Sequence, residues 1–194
     1  LENRELAADW FRKAAEQGHV EAQASLGFMY QNGIGVPEND GQAEGWFRKA
    51  AEQGHADAQD NRGAGYDNGQ GGPRDYAKAG EWYRKAAESG NVKAQFALGK
   101  CYYDGNGTEM NYSEAVKWYR KAAEQGEMHA QYNLGGCYEN GIGGLAQNND
   151  EALKWYKKAA DQGHEEAKKA IDRMQSGGLG SAVAAGAALA GVGL

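Results

Sequence analysis

Proline is nearly absent from this chain, with two residues in 194 against thirty glycines. That balance excludes a disordered Pro/Gly-rich polymer, so the glycines must punctuate something regular. Cysteine is scarce as well, and two thiols cannot build a disulfide framework. The chain has no basic face. Its 21 Lys and Arg are scattered among 27 Asp and Glu, for a formal net charge of −6. Nucleic acid is therefore not the expected partner, because neutralising phosphates needs a one-sided positive surface. Catalytic signatures are missing too: there is no G-x-S-x-G elbow, Walker loop, H-E-x-x-H, or G-x-G-x-x-G ahead of a helix. Nothing assembles a nucleophile, a base and an oxyanion site, so the sequence reads as a non-enzyme without a cofactor. No long hydrophobic span is present either. The uncharged stretch QSGGLGSAVAAGAALAGVGL ends in an apolar run at 181–194, short of the roughly 20 residues a bilayer requires. No charged-then-apolar signal segment follows Leu1, so any targeting signal lies out of view.

What the chain has is a repeat. Trp10, Trp46, Trp82, Trp118 and Trp155 head the runs WFRKAAEQG, WFRKAAEQG, WYRKAAESG, WYRKAAEQG and WYKKAADQG. The Trp spacing is 36, 36, 36 and 37, and the extra residue falls around Leu145 to Asn148. A second run follows each of the first four: AQASLGFMY, AQDNRGAGY, AQFALGKCY and AQYNLGGCY.

Each unit reads as two short helices. Asn3, Asn39, Asp75, Asn111 and Asn148 are N-cap candidates for the Trp helix, with Gln42, Glu114 and Glu151 placed to complete a capping box. Ala7, Trp10, Phe11 and Ala14 form its apolar stripe, and Gly18, Gly54, Gly90, Gly126 and Gly163 end it. The second helix carries Ala22, Leu26, Gly27 and Tyr30 on one face and stops at Gly33. Gly27 and its equivalents Gly63, Gly99 and Gly135 stand mid-helix, where glycine costs roughly 1 kcal/mol relative to alanine. A neighbouring helix is expected to approach closely there.

The pattern A-x-x-x-L-G-x-x-Y-x-x-G-x-G followed by A-x-x-W-[YF]-x-K-A-A-x-x-G resembles the Sel-1-like repeat, a relative of the tetratricopeptide repeat. The resemblance covers residues 1 to about 175. It divides them into a Trp helix at 1–18, repeats at 19–54, 55–90, 91–126 and 127–163, and a final helix at 164–176. It implies an all-α, right-handed superhelical α-solenoid with a concave groove, in which stacking supplies a core that no single repeat can bury. It also implies a protein- or peptide-binding adaptor or scaffold of bacterial origin. A designed or purely structural scaffold without a natural partner, and a toxin-neutralising immunity protein, remain as alternatives.

Superposing L-G-x-x-Y on the tetratricopeptide pattern leaves positions 21, 24, 28 and 31 facing the groove. The stripe then reads Glu21, Ala24, Phe28 and Gln31, followed by Asp57, Asp60, Ala64 and Asp67. It continues through Lys93, Phe96, Lys100 and Tyr103 to His129, Tyr132, Gly136 and Glu139, and closes with Glu166, Lys169 and Arg173. The expected partner-binding residues are its aromatic and charged members other than Glu21 and Glu166, and aromatics beside charges are favoured interface anchors. Packing between helices is the competing use for Phe96 and Tyr132, and a solvated face the competing reading of the three aspartates.

Three features depart from the pattern or invite other chemistry. The second repeat has Arg62 where Leu26, Leu98 and Leu134 stand, Ala64 and Gly65 in place of Phe28 and Met29, and Gly80 in place of Val116 and Leu153. An unpaired buried guanidinium is costly, so Arg62 must reach water or an acid, for which Asp57, Asp60 and Asp67 are the candidates. His19, His55 and His164 share one position with Asn91 and Glu127, which marks a turn. Their spacing of roughly 8–10 Å per repeat keeps them from sharing a zinc. Cys101 and Cys137 are equivalents one repeat apart and read as separate core thiols, unlike the paired cysteines of cysteine-rich relatives. Residues 177–194 read as a cap over the last repeat, as the start of a packing or membrane segment with Gly186 and Gly191 on it, or as a linker.

Overall fold

The computed structural model describes residues 2–69 and 73–176, and the reading of 177–194 lies outside them. Among the described residues all regular structure is helical. The helices are α1 (Glu2–Glu16), α2 (Val20–Asn32), α3 (Asp40–Glu52), α4 (Ala56–Asn68) and α5 (Tyr76–Glu88), then α6 (Val92–Asp104), α7 (Tyr112–Glu124), α8 (Met128–Asn140) and α9 (Asn149–Asp161). A tenth, α10, covers 165–176. None is long and apolar enough to cross a membrane. The arrangement is a solenoid of helix-turn-helix repeats, and it divides inside α7 into two compact units, Leu1–Trp118 and Tyr119–Leu194.

Capping explains where the helices begin. Asn39, Asp75 and Asn148 each accept the backbone N–H three residues on, and Asn111 does the same for Glu114. Asn3 is not a cap, because α1 already starts at Glu2. The cap's own N–H donates not to a glutamate side chain but to a tyrosine carbonyl of the preceding helix. Asn39, Asp75, Asn111 and Asn148 bond in this way to Tyr30, Tyr66, Tyr102 and Tyr138. Glu114 and Glu151 turn outward to Lys117 and Lys154. The residue read as a turn caps the second helix: His55 Nδ1, Asn91 Oδ1, a Glu127 carboxylate oxygen and His164 Nδ1 accept the N–H of Ala58, Ala94, Ala130 and Ala167.

The mid-helix glycines are contact points, as expected. A Cβ on Gly27 would lie 2.9 Å from the Phe47 ring, on Gly63 2.6 Å from Tyr83, and on Gly135 2.7 Å from Tyr156. Around these rings the core is small and dense. In the first unit Ala43, Phe47, Ala50 and Ala58 form one cluster and Ala79, Tyr83, Ala94, Leu98 and Trp118 another. In the second unit Ala152, Tyr156, Ala159 and Ala167 pack together. The expected stripe fails only on α1, where Trp10 is 62% and Phe11 39% exposed while Ala8 and Ala15 are buried. No described helix precedes α1 to receive those rings.

A further device was not anticipated. Gln23, Gln59, Gln95 and Gln131 are buried. Each donates its Nε2 to the carbonyl of an alanine eight residues back, namely Ala15, Ala51, Ala87 and Ala123. Two of their oxygens accept from the end of the same repeat: Gln53 donates to Gln23 and Gln162 to Gln131, both at 2.8 Å. At the position of Gln53 the next repeat has Ser89, too short to reach, and Gln59 Oε1 is buried without a protein partner. Ser89→Gln should therefore raise stability by about 1 kcal/mol, the net worth of one satisfied hydrogen bond. Chemical denaturation of both proteins checks it, and an unchanged midpoint refutes the assignment.

Candidate functional site

The expected partner-binding residues of the first unit lie on α2, α4 and α6. Five members of the stripe (Phe28, Gln31, Asp57, Asp60 and Lys93) line one surface depression of about 650 Å³, together with Asn61, Gly90, Asn91 and Val92. Phe28 is 53% exposed. Lys93 and Asp57 are exposed and Asp60 is half-buried. Asp57 accepts a 2.7 Å hydrogen bond from Asn91 Nδ2, and Glu21 meets His55 Nε2 at 3.1 Å. In both pairs a stripe residue touches the cap of the next second helix.

Burial raises the Asp60 carboxyl to about 6, with Asp57 adding to the rise and Lys93 opposing it. A folded-state value above the ordinary 3.8 means that the native chain binds this proton more tightly than the unfolded one. Stability from this group is then present below about pH 4 and lost as pH rises toward 6. Discounted for solvent screening, Asp60→Asn should add about 1 kcal/mol at pH 7 and almost nothing at pH 4. Melting curves at the two pH values check this, and an equal gain at both would contradict the assignment.

The remaining expected residues of this unit sit elsewhere. Asp67 is half-buried and accepts from Tyr83 Oη at 3.5 Å. Phe96 is half-buried, Lys100 is exposed, and Tyr103 stands edge-on to Tyr112 with ring centroids 5.1 Å apart. Arg62 does not use the three aspartates. Its Nη2 donates to Tyr66 Oη at 2.9 Å, Nη1 lies 3.8 Å from Glu44 Oε1, and its guanidinium packs against the Tyr66 and Trp82 rings. The signal was present in the sequence, because Glu44 is itself a departure at the position of Val116 and Leu153.

In the second unit the expected residues have partners within the unit. Glu139 accepts from Arg173 Nη2 at 2.6 and 2.7 Å and from Tyr156 Oη at 2.7 Å. Tyr132 stacks on His164 at 4.5 Å, so this ring packs between helices. His129 is exposed, with its ring 5.1 Å from that of His164. Lys169 bonds Glu166 at 2.8 Å. Burial and the neighbouring His129 hold His164 below the usual imidazole range, which favours the neutral ring whose Nδ1 accepts at the helix cap. Both cysteines are free thiols, pushed by burial to about 11, far from the thiolate that reactivity requires.

Comparison with known proteins bears on the fold and the family. No curated protein matches the chain. A protective antigen present in uropathogenic Escherichia coli strains, displaying the SLR fold, is 39% identical with a TM-score of 0.83 over 90% of this chain and 37% of its own. A Sel1 repeat protein from Oxalobacter formigenes is 41% identical, with a TM-score of 0.76 over 86% of this chain and 66% of its own. The chain thus spans about a third of the first relative and just under two thirds of the second. An immunity protein from Pseudomonas aeruginosa is 27% identical, with a TM-score of 0.51 over 82% of this chain and 59% of its own. The family model for the Sel1 repeat matches residues 1–19, 20–55, 56–91, 92–127 and 129–164, and the chain belongs to the Sel1 repeat family.

Proposed function

We propose that this chain is a protein- or peptide-binding scaffold that recognises its partner through the second-helix stripe of its first unit. The Sel1 repeat is a scaffold fold commonly used in protein interaction. The observation that carries the reading is the depression in which exposed Phe28 stands beside Asp57, Asp60 and Lys93. An accessible ring bordered by charges of both signs supplies an apolar anchor and a means of orienting what lands on it. The second unit fits the same division of labour, because its stripe residues are engaged by partners of their own unit. The likeness to an immunity protein favours a bacterial toxin as the class of protein bound.

The test is an affinity capture from bacterial lysate, comparing wild type with Phe28→Ser combined with Lys93→Glu. Both side chains are exposed, so the melt should be retained. A partner should be captured by wild type and bound at least about 10-fold more weakly by the variant, as expected for loss of an interface anchor. Equal retention by both proteins would remove the first-unit stripe as the recognition surface.

A further inference from the structure

Four departures from the repeat pattern meet in space, three in the second repeat and one near the end of the first. Arg62 replaces a leucine, Ala64 and Gly65 replace Phe28 and Met29, and Glu44 stands where Val116 and Leu153 stand in later copies. Together they border a cavity of about 270 Å³ between α3 and α4, walled on its apolar side by Ala43 and Phe47. Where the first repeat has a phenylalanine and a methionine, the second has two small residues, and a charge of each sign stands at the cavity's edge. We propose that this cavity is a binding pocket for a neutral carboxamide, such as the side chain of glutamine.

The polar groups select that chemistry. The Arg62 side chain is only 9% exposed and its Nε is buried without a protein acceptor. Its Nη2 is held by Tyr66 and its plane by Tyr66 and Trp82, so the guanidinium is fixed in place. Nη1 faces Glu44 Oε1 at 3.8 Å, beyond hydrogen-bond reach, which leaves a donor and an acceptor side by side across a gap. A ligand carboxylate would meet Glu44 and, at the mouth, Asp40. An ammonium would meet Arg62, and an apolar tip would cover the buried guanidinium without answering it. A carboxamide answers both, since its oxygen accepts from Nη1 while its NH2 donates to Oε1. Its methylene stem lies against Phe47, Ala43 and Ala64. The pocket stands on its own lining and requires no macromolecule on the neighbouring stripe.

The test uses the full chain labelled with nitrogen-15 and four capped amino acids of matched length: the N-acetyl N-methylamides of glutamine, glutamate, lysine and norleucine. The glutamine compound should shift the amides of Ala43, Ala64 and Gly65 saturably and bind roughly 10-fold more tightly than the norleucine compound, about what one or two net hydrogen bonds supply. Arg62→Leu restores the residue of the other repeats, and Ala64→Phe with Gly65→Met fills the cavity from its α4 side. Each variant should keep its melt and lose those shifts. The proposal is overturned by any of four results: no saturable shift with glutamine, equal binding of norleucine, tighter binding of glutamate or lysine, or binding that survives in the refilled variant.

Discussion

Gly107→Ala will be among the most damaging single substitutions in this chain. A Cβ at that position would lie 1.8 Å from the Tyr76 carbonyl oxygen and 2.3 Å from its carbon. Both are backbone atoms in the first turn of α5, so no side chain can swing aside to make room. The glycine also has φ +74°, in the left-handed region that an L side chain resists. Backbone strain of about 1–3 kcal/mol adds to an overpacking cost of similar size, for a total of about 4 kcal/mol. In a chain of this length that corresponds to a fall in melting temperature of roughly 10–15 °C, measurable by circular dichroism. A loss within about 1 kcal/mol would mean that the loop is not seated on α5 as described.

Gly135→Ala will be nearly as severe, for a different reason. Here the backbone is helical and alanine is intrinsically preferred by roughly 1 kcal/mol. The added carbon would nevertheless stand 2.7 Å from the Tyr156 ring. That ring is buried and its hydroxyl is tied to Glu139 at 2.7 Å, so it cannot retreat without breaking its own bond. The net loss should be about 2–3 kcal/mol. A double-mutant cycle isolates the cause. Tyr156→Leu is costly alone but removes the obstacle, so the double variant should lose less than the sum of the singles by at least about 1 kcal/mol. Strict additivity would place the strain elsewhere.

Much of this was legible from one sequence because the repeat supplies its own comparison. The Trp-to-Trp spacing marks the helix pairs, and a mid-helix glycine retained at Gly27, Gly63 and Gly135 announces a close approach without any coordinates. Five stripe residues assigned to one helix face do line one depression. Other features were out of reach for physical reasons. Trp10 and Phe11 carry the repeat's apolar signature, yet burial depends on a neighbour that the letters at those positions do not report. The buried glutamines read as ordinary polar residues, because a side chain reaching back to a carbonyl leaves no mark on periodicity. The caps at His55 and His164 looked like turn residues, since imidazole is seldom chosen for that work. Glu44 is marked by the repeat, but it meets Arg62 across a helix pair, whereas proximity in sequence points to the aspartates of Arg62's own helix.

The tyrosine carbonyls that receive the cap N–H of the next helix give the array a direction. The last turn of α4 holds the entry to α5, and the last turn of α6 holds the entry to α7. Nothing in that bond ties the exit of a first helix back to the helix before it. Opening of a second helix therefore frees the entry of the helix that follows it, while Gln53 and Gln162 hold the exits of α3 and α9 to α2 and α8. Amide hydrogen exchange will record this as coupled protection, with the N–H groups of Asn39, Asp75 and Asn111 exchanging in concert with the second helices that hold them.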